Sequence, residues 1–428
     1  MSDSYASSRA APSDTASDTV DSPSLFDKCH QFFDPDGDYA KAKEADLYPY
    51  FRPIERNDGA RAIMNGKEVV MAGSNNYLGL TSDPRVQEAA VNAIKTYGTG
   101  CTGSRFLNGT LDLHLQLEER LADFMEAEEC ILYSTGYMTN MGVVQAIAGK
   151  SDLIFSDKDN HACIVAGTQM SYAETRRYRH NDLDHLEQML EREYERNPDA
   201  GKLIATDGVF SMSGEIANVP RLIELARTYN AALMLDDAHA IGVIGPKGQG
   251  SASTYGRLQD VDLITGTFSK SFSSLGGFCV GDEDVIEYLR HESSPHIFSA
   301  SMPPANVATV LKCLDILEDE PERLERLWEV SDYMRQGFRE QGFDVWDSET
   351  PIIPVVVGDM ETCFRFWRDL LEEGVFVNAV VPPAVPKGQS LMRTSYMATH
   401  TDKDLDHILE AFHKVGTKHG VINANGVH

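Results

Sequence analysis

At 428 residues the chain is long enough to bury one large core and a second, smaller one. Hydrophobic residues at 42 % and charged residues at 24 % are ordinary for a globular protein, but 66 Asp and Glu against 38 Lys and Arg leave a net charge of -28. A surface this acidic repels nucleic acid and anionic lipid, which argues against both as partners, and it resembles the surfaces of salt-adapted proteins. The seven cysteines (29, 101, 130, 163, 279, 313, 363) include no Cys-x-x-Cys pair, an odd and unpatterned set that points to a reducing, cytoplasmic setting and away from a disulfide framework or a bound metal. No apolar run approaches the length of a membrane span.

Residues 1–24 are rich in Ser, Asp, Ala and Thr and read as a disordered polar tail. Residues 25–75 read as an N-terminal arm. Within it, Tyr48-Pro49-Tyr50-Phe51-Arg52-Pro53 has too much proline for a helix and too many aromatic rings to stay in solvent, so it is expected to pack on another surface, a second subunit among the candidates. Gly73-Ser-Asn-Asn-Tyr-Leu-Gly-Leu80 follows an apolar run and leads into a helix starting near Asp83-Pro84. Asn75 and Asn76 suit the turn itself, with a ligand-facing amide as the alternative. Gly98-Thr-Gly-Cys-Thr-Gly103 spells the glycine fingerprint of dinucleotide sites. It follows a helical stretch (86–97) rather than a strand, and no acidic residue stands where a ribose would need it. With Ser104, Arg105, Gly109 and Thr110 it is read instead as a loop pressed against a ligand or a neighbouring subunit.

Leu113, Leu117, Leu121 and Phe124 form a helical stripe. A strand over 130–133, a turn through Ser134-Thr135-Gly136-Tyr137 and a helix over 138–148 follow. A strand, a small-residue turn and a helix N-terminus together make a site for phosphate, because free backbone N–H groups and the helix dipole converge there. Tyr137, just inside the helix, suits a place against a ring. The strand over 153–155 runs to Asp157 and on to Asn160-His161-Ala162, where His161 taken alone is as readily a structural hydrogen-bonder as a ligand contact. Asn181 is expected to cap a helix carrying Leu183, Leu186, Leu190 and Tyr194. Strands over 203–206 and 232–235, separated by a helix over 221–229, imply an α/β fold with a mostly parallel central sheet covered by helices on both faces. Ligands sit at the carboxyl ends of such strands, and those ends carry Asp207 with Ser211, then Asp236-Asp-Ala-His239.

The stretch from Asp262 to Gly281 completes the set. A buried strand ends at a turn of small hydroxyl residues holding one lysine, Lys270, before Gly276-Gly277 and a second apolar run. A lysine in such company is costly unless its charge is used or removed; a Schiff base with an aldehyde uses it, while for this stretch alone a surface loop lysine is an equal reading. An acid for a pyridine nitrogen, a lysine for an aldehyde and a phosphate cup are the three needs of pyridoxal 5'-phosphate. Helices over 305–319 and 322–340 then lead to strands at 352–357, 375–380 and 391–395 with a helix over 363–373. These are read as a small α+β domain (321–420) beside a large cofactor-binding domain (76–320), with a frayed tail at 421–428. Arg393, in an apolar-flanked strand, suits a bidentate carboxylate clamp.

Ser74-Asn-Asn-Tyr-Leu-Gly-Leu80, Ser134-Thr-Gly-Tyr-Met138, Asn160-His-Ala162, Gly208-Val-Phe-Ser-Met212, Asp236-Asp-Ala-His239, Gly266-Thr-Phe-Ser-Lys270 and Phe298-Ser-Ala-Ser-Met-Pro-Pro304 together resemble the α-oxoamine synthases over roughly residues 40–418. These are pyridoxal-phosphate enzymes of the aspartate-aminotransferase fold (fold type I), acyltransferases that join an amino acid to an acyl thioester with loss of CO2. Residues 98–110 and Pro382-Pro383 through Ser395 resemble most the branch that takes L-serine and a long-chain acyl-CoA toward sphingolipids. The branches that make 8-amino-7-oxononanoate or acetylate glycine share nearly every motif.

The resemblance implies that Lys270 holds the cofactor, Asp236 pairs with its ring nitrogen and His161 stacks on its face. His239 and Ser211 lie near the ring oxygen, and Gly136, Tyr137, Thr267 and Ser269 surround it. It further implies that Ser299 reaches a phosphate across a homodimer interface, and that Arg393 grips the substrate carboxylate with Asn75 supplied by the partner subunit. Some relatives carry an arginine where this chain has Val381. A basic entry for the CoA polyanion is expected around Arg105 or Lys387.

Overall fold

Short apolar runs between capped amphipathic helices set the architecture, and the computed structural model describes residues 24–423. The expected polar tail lies outside the described residues apart from Ser24, and of the expected frayed end only 421–423 are described. Two compact units are present, divided after Tyr48. In the first, helices α1 (Asp27–Phe32) and α2 (Asp38–Glu44) bury no residue of their own. Phe32, Phe33, Tyr39 and Tyr48 form an aromatic cluster there, with the Lys43 ammonium 4.1 Å from the Tyr48 ring centre.

The second unit starts with β1 (Arg56–Asn57), β2 (Arg61–Met64) and β3 (Lys67–Met71), then α3 (Pro84–Tyr97), capped by Asp83, and α4 (Asp112–Phe124). Gly98 ends α3 in a left-handed conformation that favours glycine (φ 84°), so the Gly98–Gly103 run begins as a helix stop rather than a strand-to-helix phosphate turn. The central sheet is built from β4 (Glu129–Tyr133), α5 (Gly136–Ile147), β5 (Leu153–Asp157), α6 (Ala162–Met170), β6 (Glu174–Tyr178), α7 (Leu183–Arg196), β7 (Lys202–Asp207), α8 (Val219–Thr228), β8 (Ala232–Asp236), β9 (Leu263–Thr267) and β10 (Gly277–Gly281). Its strand order is β4-β10-β9-β8-β7-β5-β6, parallel throughout except for β10, which runs antiparallel to both neighbours.

Alternate residues of each strand feed opposite faces. Phe155, Ile204, Leu233 and Leu235 join one buried cluster while Ile154, Leu203, Ala205 and Met234 join another. That is why these strands read as unbroken apolar runs: a sheet covered on both sides buries every position. The cap of α7 is Asp182, whose carboxylate accepts the His185 N–H at 2.9 Å, and not Asn181. Asn181 instead takes the left-handed turn conformation (φ 49°) just before it.

The chain continues through α9 (Glu283–Glu292), α10 (Ser294–Ile297), α11 (Pro304–Asp319) and α12 (Pro321–Glu340) to β11 (Ile352–Gly358), α13 (Met360–Glu372), β12 (Val375–Phe376), β13 (Asn378–Val380), β14 (Ser390–Ser395) and α14 (Asp402–Lys418). The run 375–380, expected as one strand, is divided between two sheets. Val375 and Phe376 pair in parallel with β3, while residues 378–380 pair with β14 in a sheet ordered β11-β14-β13. Residues 56–71, expected to belong to an arm, therefore lie in a four-stranded sheet with a C-terminal strand. The proline-bound stretch packs on its own chain through Tyr50 and Arg52. Tyr50 meets Phe364 edge-on, and the Arg52 guanidinium lies 5.1 Å from the Trp367 ring centre, both on α13.

Candidate active site

The loop between β9 and β10 is pulled down by its own aromatic residues. Phe268 and Phe272 are fully buried, and Phe268 stacks on Phe278 of β10 at 5.6 Å. Backbone bonds from Phe268 to the Gly276 carbonyl and from Ser274 to the Phe268 carbonyl close the loop. Lys270 is left between the two rings in sequence and lines a cavity of about 230 Å³ at the carboxyl ends of the strands. Burial lowers its pKa to about 8; Arg393 acts in the same direction, and Asp236 and Asp207 act against it.

At the mouth of this cavity α5 begins. Thr135 caps it, accepting the Met138 N–H at 3.1 Å and leaving the N–H groups at the helix start to face the cavity. Gly136 is required here. A Cβ on it would stand 2.5 Å from Thr267 Oγ1 and 2.6 Å from Thr267 Cβ. A Cβ on Gly277 would meet the Gly136 Cα at 2.8 Å. The two glycines let the helix start close on the Thr267 side chain and on β10, a tight turn of helix N-terminus, a cup that suits a phosphate.

Beneath the cup lies a carboxylate network. Asp236 closes β8 opposite Asp207 of β7 in the sheet register. Asp236 Oδ1 accepts the Ala238 N–H at 3.0 Å, and Oδ2 accepts from Asn140 Nδ2 at 2.6 Å. Asn140 is fixed in turn by Thr265, whose hydroxyl donates to its Oδ1 at 2.7 Å. Burial, then the neighbouring charge of Asp236, pushes Asp207 well above the usual carboxylate range. His161 caps α6, its Nδ1 accepting the Cys163 N–H at 3.2 Å, which places its proton on Nε2. Burial and the Lys270 charge lower its pKa, although Asp236 opposes them.

On the far wall His239 is buried and its pKa is driven well below 6.5, first by burial and then by Lys270, Arg393 and His161. Its Nδ1 lies 2.7 Å from the Tyr77 hydroxyl. Arg393, only 4 % exposed in the middle of β14, donates from Nε to the Ser211 carbonyl at 2.6 Å and from Nη1 to Asn75 Oδ1 at 3.0 Å. Asn75 reaches Arg393 within its own chain. The cause is the Gly73–Ser395 bridge and the bond from Asn378 Nδ2 to the Gly73 carbonyl, which lay the turn along β14. Asn76 makes the turn, accepting the Leu80 N–H.

One cavity thus gathers Gly136, Tyr137, His161, Ser211, Asp236, His239, Thr267, Ser269 and Lys270. Ser211 also borders an outer vestibule of about 1000 Å³ lined by Phe210, Met212, Trp346, Pro383 and Val385 with an acidic rim. Ser299 lies elsewhere, in a small crevice beside Ser134 and Ser301. Arg105 is not a free entry cation. It forms a two-pronged bond to Glu118 at 2.8 and 2.9 Å, with side-chain exposures of 9 % and 3 %. Sequence reasoning passed over Asn140, Cys163 and Tyr77 and left Asp207 without a role. The available signal for Asn140 was an amide one turn after Gly136 on a mainly apolar helix.

A cup closed by glycine, an amine brought close to neutrality and a held carboxylate across a small cavity fit pyridoxal phosphate at its phosphate, aldehyde and ring nitrogen. The model for the aminotransferase class I and II family matches residues 67–412. The chain is 48 % identical over 373 residues to a serine palmitoyltransferase of Sphingobacterium spiritivorum, covering 87 % of this chain and 93 % of that one. It is 42 % identical over 383 residues to an 8-amino-7-oxononanoate synthase of Symbiobacterium thermophilum, covering 89 % and 96 %. A solved structure of serine palmitoyltransferase with its pyridoxal phosphate internal aldimine has a TM-score of 0.89 at 34 % identity, covering 94 % of this chain and 100 % of that one.

Proposed function

The chain belongs to the aminotransferase class I and II family and, within it, to the α-oxoamine synthases, and from that membership we propose that it condenses L-serine with a long-chain acyl-CoA, palmitoyl-CoA in the first instance, releasing CoA, CO2 and 3-ketodihydrosphinganine. The observation that carries this reading is the small cavity that gathers Lys270, Asp236 and the Gly136 helix start, with Arg393 bonded to the carbonyl of Ser211 at its wall. The 48 % identity to a serine palmitoyltransferase favours serine over the substrates of the oxononanoate branch at 42 %.

Bound pyridoxal phosphate supplies an electron-withdrawing ring that makes the α-hydrogen of the attached amino acid acidic. The remaining work falls to side chains. Lys270, with a pKa of about 8, is in part an unprotonated amine near neutrality and can take the α-proton and return one. Asp236, steered by Asn140 and the Ala238 N–H, offers its carboxylate to the ring nitrogen. His161 would cover a face of the ring, and His239, hydrogen-bonded to Tyr77, would stand with Ser211 near its oxygen. Arg393 and Asn75 orient the serine carboxylate, the group later lost as CO2.

The functional unit is a homodimer in which Ser299 serves the neighbour's phosphate cup. The separate position of Ser299 and the exposure of its neighbour in sequence Phe298 support this. The division into a cofactor domain over 76–320 and a small domain over 321–420 belongs to the same proposal, as does a cytoplasmic location. Among the described residues all seven cysteines are free, and no helix is long and apolar enough to cross a membrane.

The test is mass spectrometry of the product formed by purified, cofactor-loaded protein from serine, alanine or glycine with acyl-CoAs of several lengths. 3-Ketodihydrosphinganine from serine and palmitoyl-CoA is expected. Turnover only with alanine or glycine would move the chain to another branch.

A further inference from the structure

A histidine outside the cavity holds the loop on which the carboxylate clamp leans. His180 follows β6, and its Nδ1 lies 3.0 Å from Asp157 Oδ1 while Nε2 lies 3.1 Å from Glu215 Oε2. Asp157, at the end of β5, is 1 % exposed and also accepts the Asp159 and Asn181 N–H groups, each at 2.8 Å, so it is bolted to the sheet. Glu215 closes the loop that leaves β7. Its carbonyl accepts the Phe210 N–H at 3.0 Å, and Gly214 N–H donates back to the Phe210 carbonyl at 2.9 Å. The Phe210 ring meets the His180 ring edge-on with centroids 4.4 Å apart. His180 therefore touches both ends of the Phe210–Glu215 turn, and Ser211, whose carbonyl fixes Arg393 Nε at 2.6 Å, lies between them. The Glu349 N–H also donates to the Gly214 carbonyl at the tip, at 3.2 Å.

Both ring nitrogens face carboxylates, and both can donate only when the ring is protonated. Burial alone would lower the pKa of His180, but the hydrogen bonds to Asp157 and Glu215 outweigh it and push the group up to about 10. His180 is thus a fixed cation joining the sheet to the loop.

We propose that His180 is a positioning residue for the amino-acid substrate: by tying Glu215 and Phe210 to Asp157 it sets the Ser211 carbonyl, and through that the orientation of Arg393 toward the substrate carboxylate. This rests on Arg393 being the carboxylate clamp, as in the function proposed above, but not on serine being the substrate.

The experiment uses the cofactor-loaded, full-length protein with His180→Gln, which keeps hydrogen-bonding atoms without the charge, and Glu215→Gln, whose side chain is 34 % exposed at the other end of the contact. Amino-acid affinity is read both as KM and as the Kd from the change in cofactor absorbance on adding the amino acid without acyl donor. Loss of a charge-assisted bond predicts a rise of roughly tenfold in both quantities for each variant. The double variant should be no worse than either single one, and the acyl-CoA KM, the pyridoxal phosphate Kd and kcat should stay within about twofold. Unchanged amino-acid affinity in Glu215→Gln, or an equal loss of acyl-CoA and cofactor affinity, overturns the proposal. If His180→Gln does not fold, Glu215→Gln alone decides it. A wild type that turns over alanine or glycine instead of serine refutes the serine reading and leaves this test intact with that amino acid.

Discussion

Replacing Lys270 with methionine should make the cofactor-free protein more stable near neutral pH. The Lys270 pKa falls from the ordinary 10.5 to about 8, chiefly because the folded chain buries the ammonium. Between those two values the unfolded chain binds a proton that the folded chain has released, so stability rises as pH climbs from about 8 to 10.5 and is lowest below about 8. At about 1.4 kcal/mol per pH unit the cost below pH 8 is roughly 3 kcal/mol. Methionine has a similar length and no charge, so it removes that cost without opening a void. The assay is urea unfolding of wild type and variant, stripped of cofactor, at several values from about pH 7 to about pH 10.5. The variant should lead by on the order of 3 kcal/mol at the acid end, and the difference should close toward the alkaline end. The same variant should develop no visible absorption when pyridoxal phosphate is added. A stability difference that does not change with pH, or a wild type more stable than the variant at about pH 7, would refute the assignment of Lys270 as a buried, destabilised amine.

Gly136→Ala forces a Cβ to within 2.5 Å of Thr267 Oγ1, so the start of α5 must shift. Overpacking of this kind costs about 1–3 kcal/mol, and pyridoxal phosphate affinity by absorbance titration should fall at least tenfold (about 1.4 kcal/mol). Arg393→Lys exchanges a planar fork for a point charge and gives up the bonds to Ser211 and Asn75. The serine KM should rise roughly 10- to 100-fold with little change in cofactor affinity. Glu118→Gln leaves Arg105 and Arg290 without their buried counter-charge, and the Leu132 N–H loses a carboxylate acceptor. Stability measured by denaturant unfolding should drop by about 3 kcal/mol.

The chemistry of the site was legible in the sequence because it is carried by positions at strand ends. Asp236 closes an unbroken apolar strand, Lys270 sits in a turn of small residues, and Gly136 opens a helix; none of the three is specific alone, and it is the set of them that points to the cofactor. The parallel sheet was legible as well, since a strand buried on both faces leaves no polar alternation. What the sequence left open depends on which distant segments meet. Asn75 and Arg393 are 318 positions apart and touch only because the Gly73 turn lies along β14. Arg105 resembles a free cation until folding sets it against Glu118, and His180 resembles any histidine after a strand until Asp157 and Glu215 close on it. Local residue type determines what a group can do. Whether it is exposed, neutral or already paired depends on burial and on partners brought in by other segments, and those only the tertiary structure supplies.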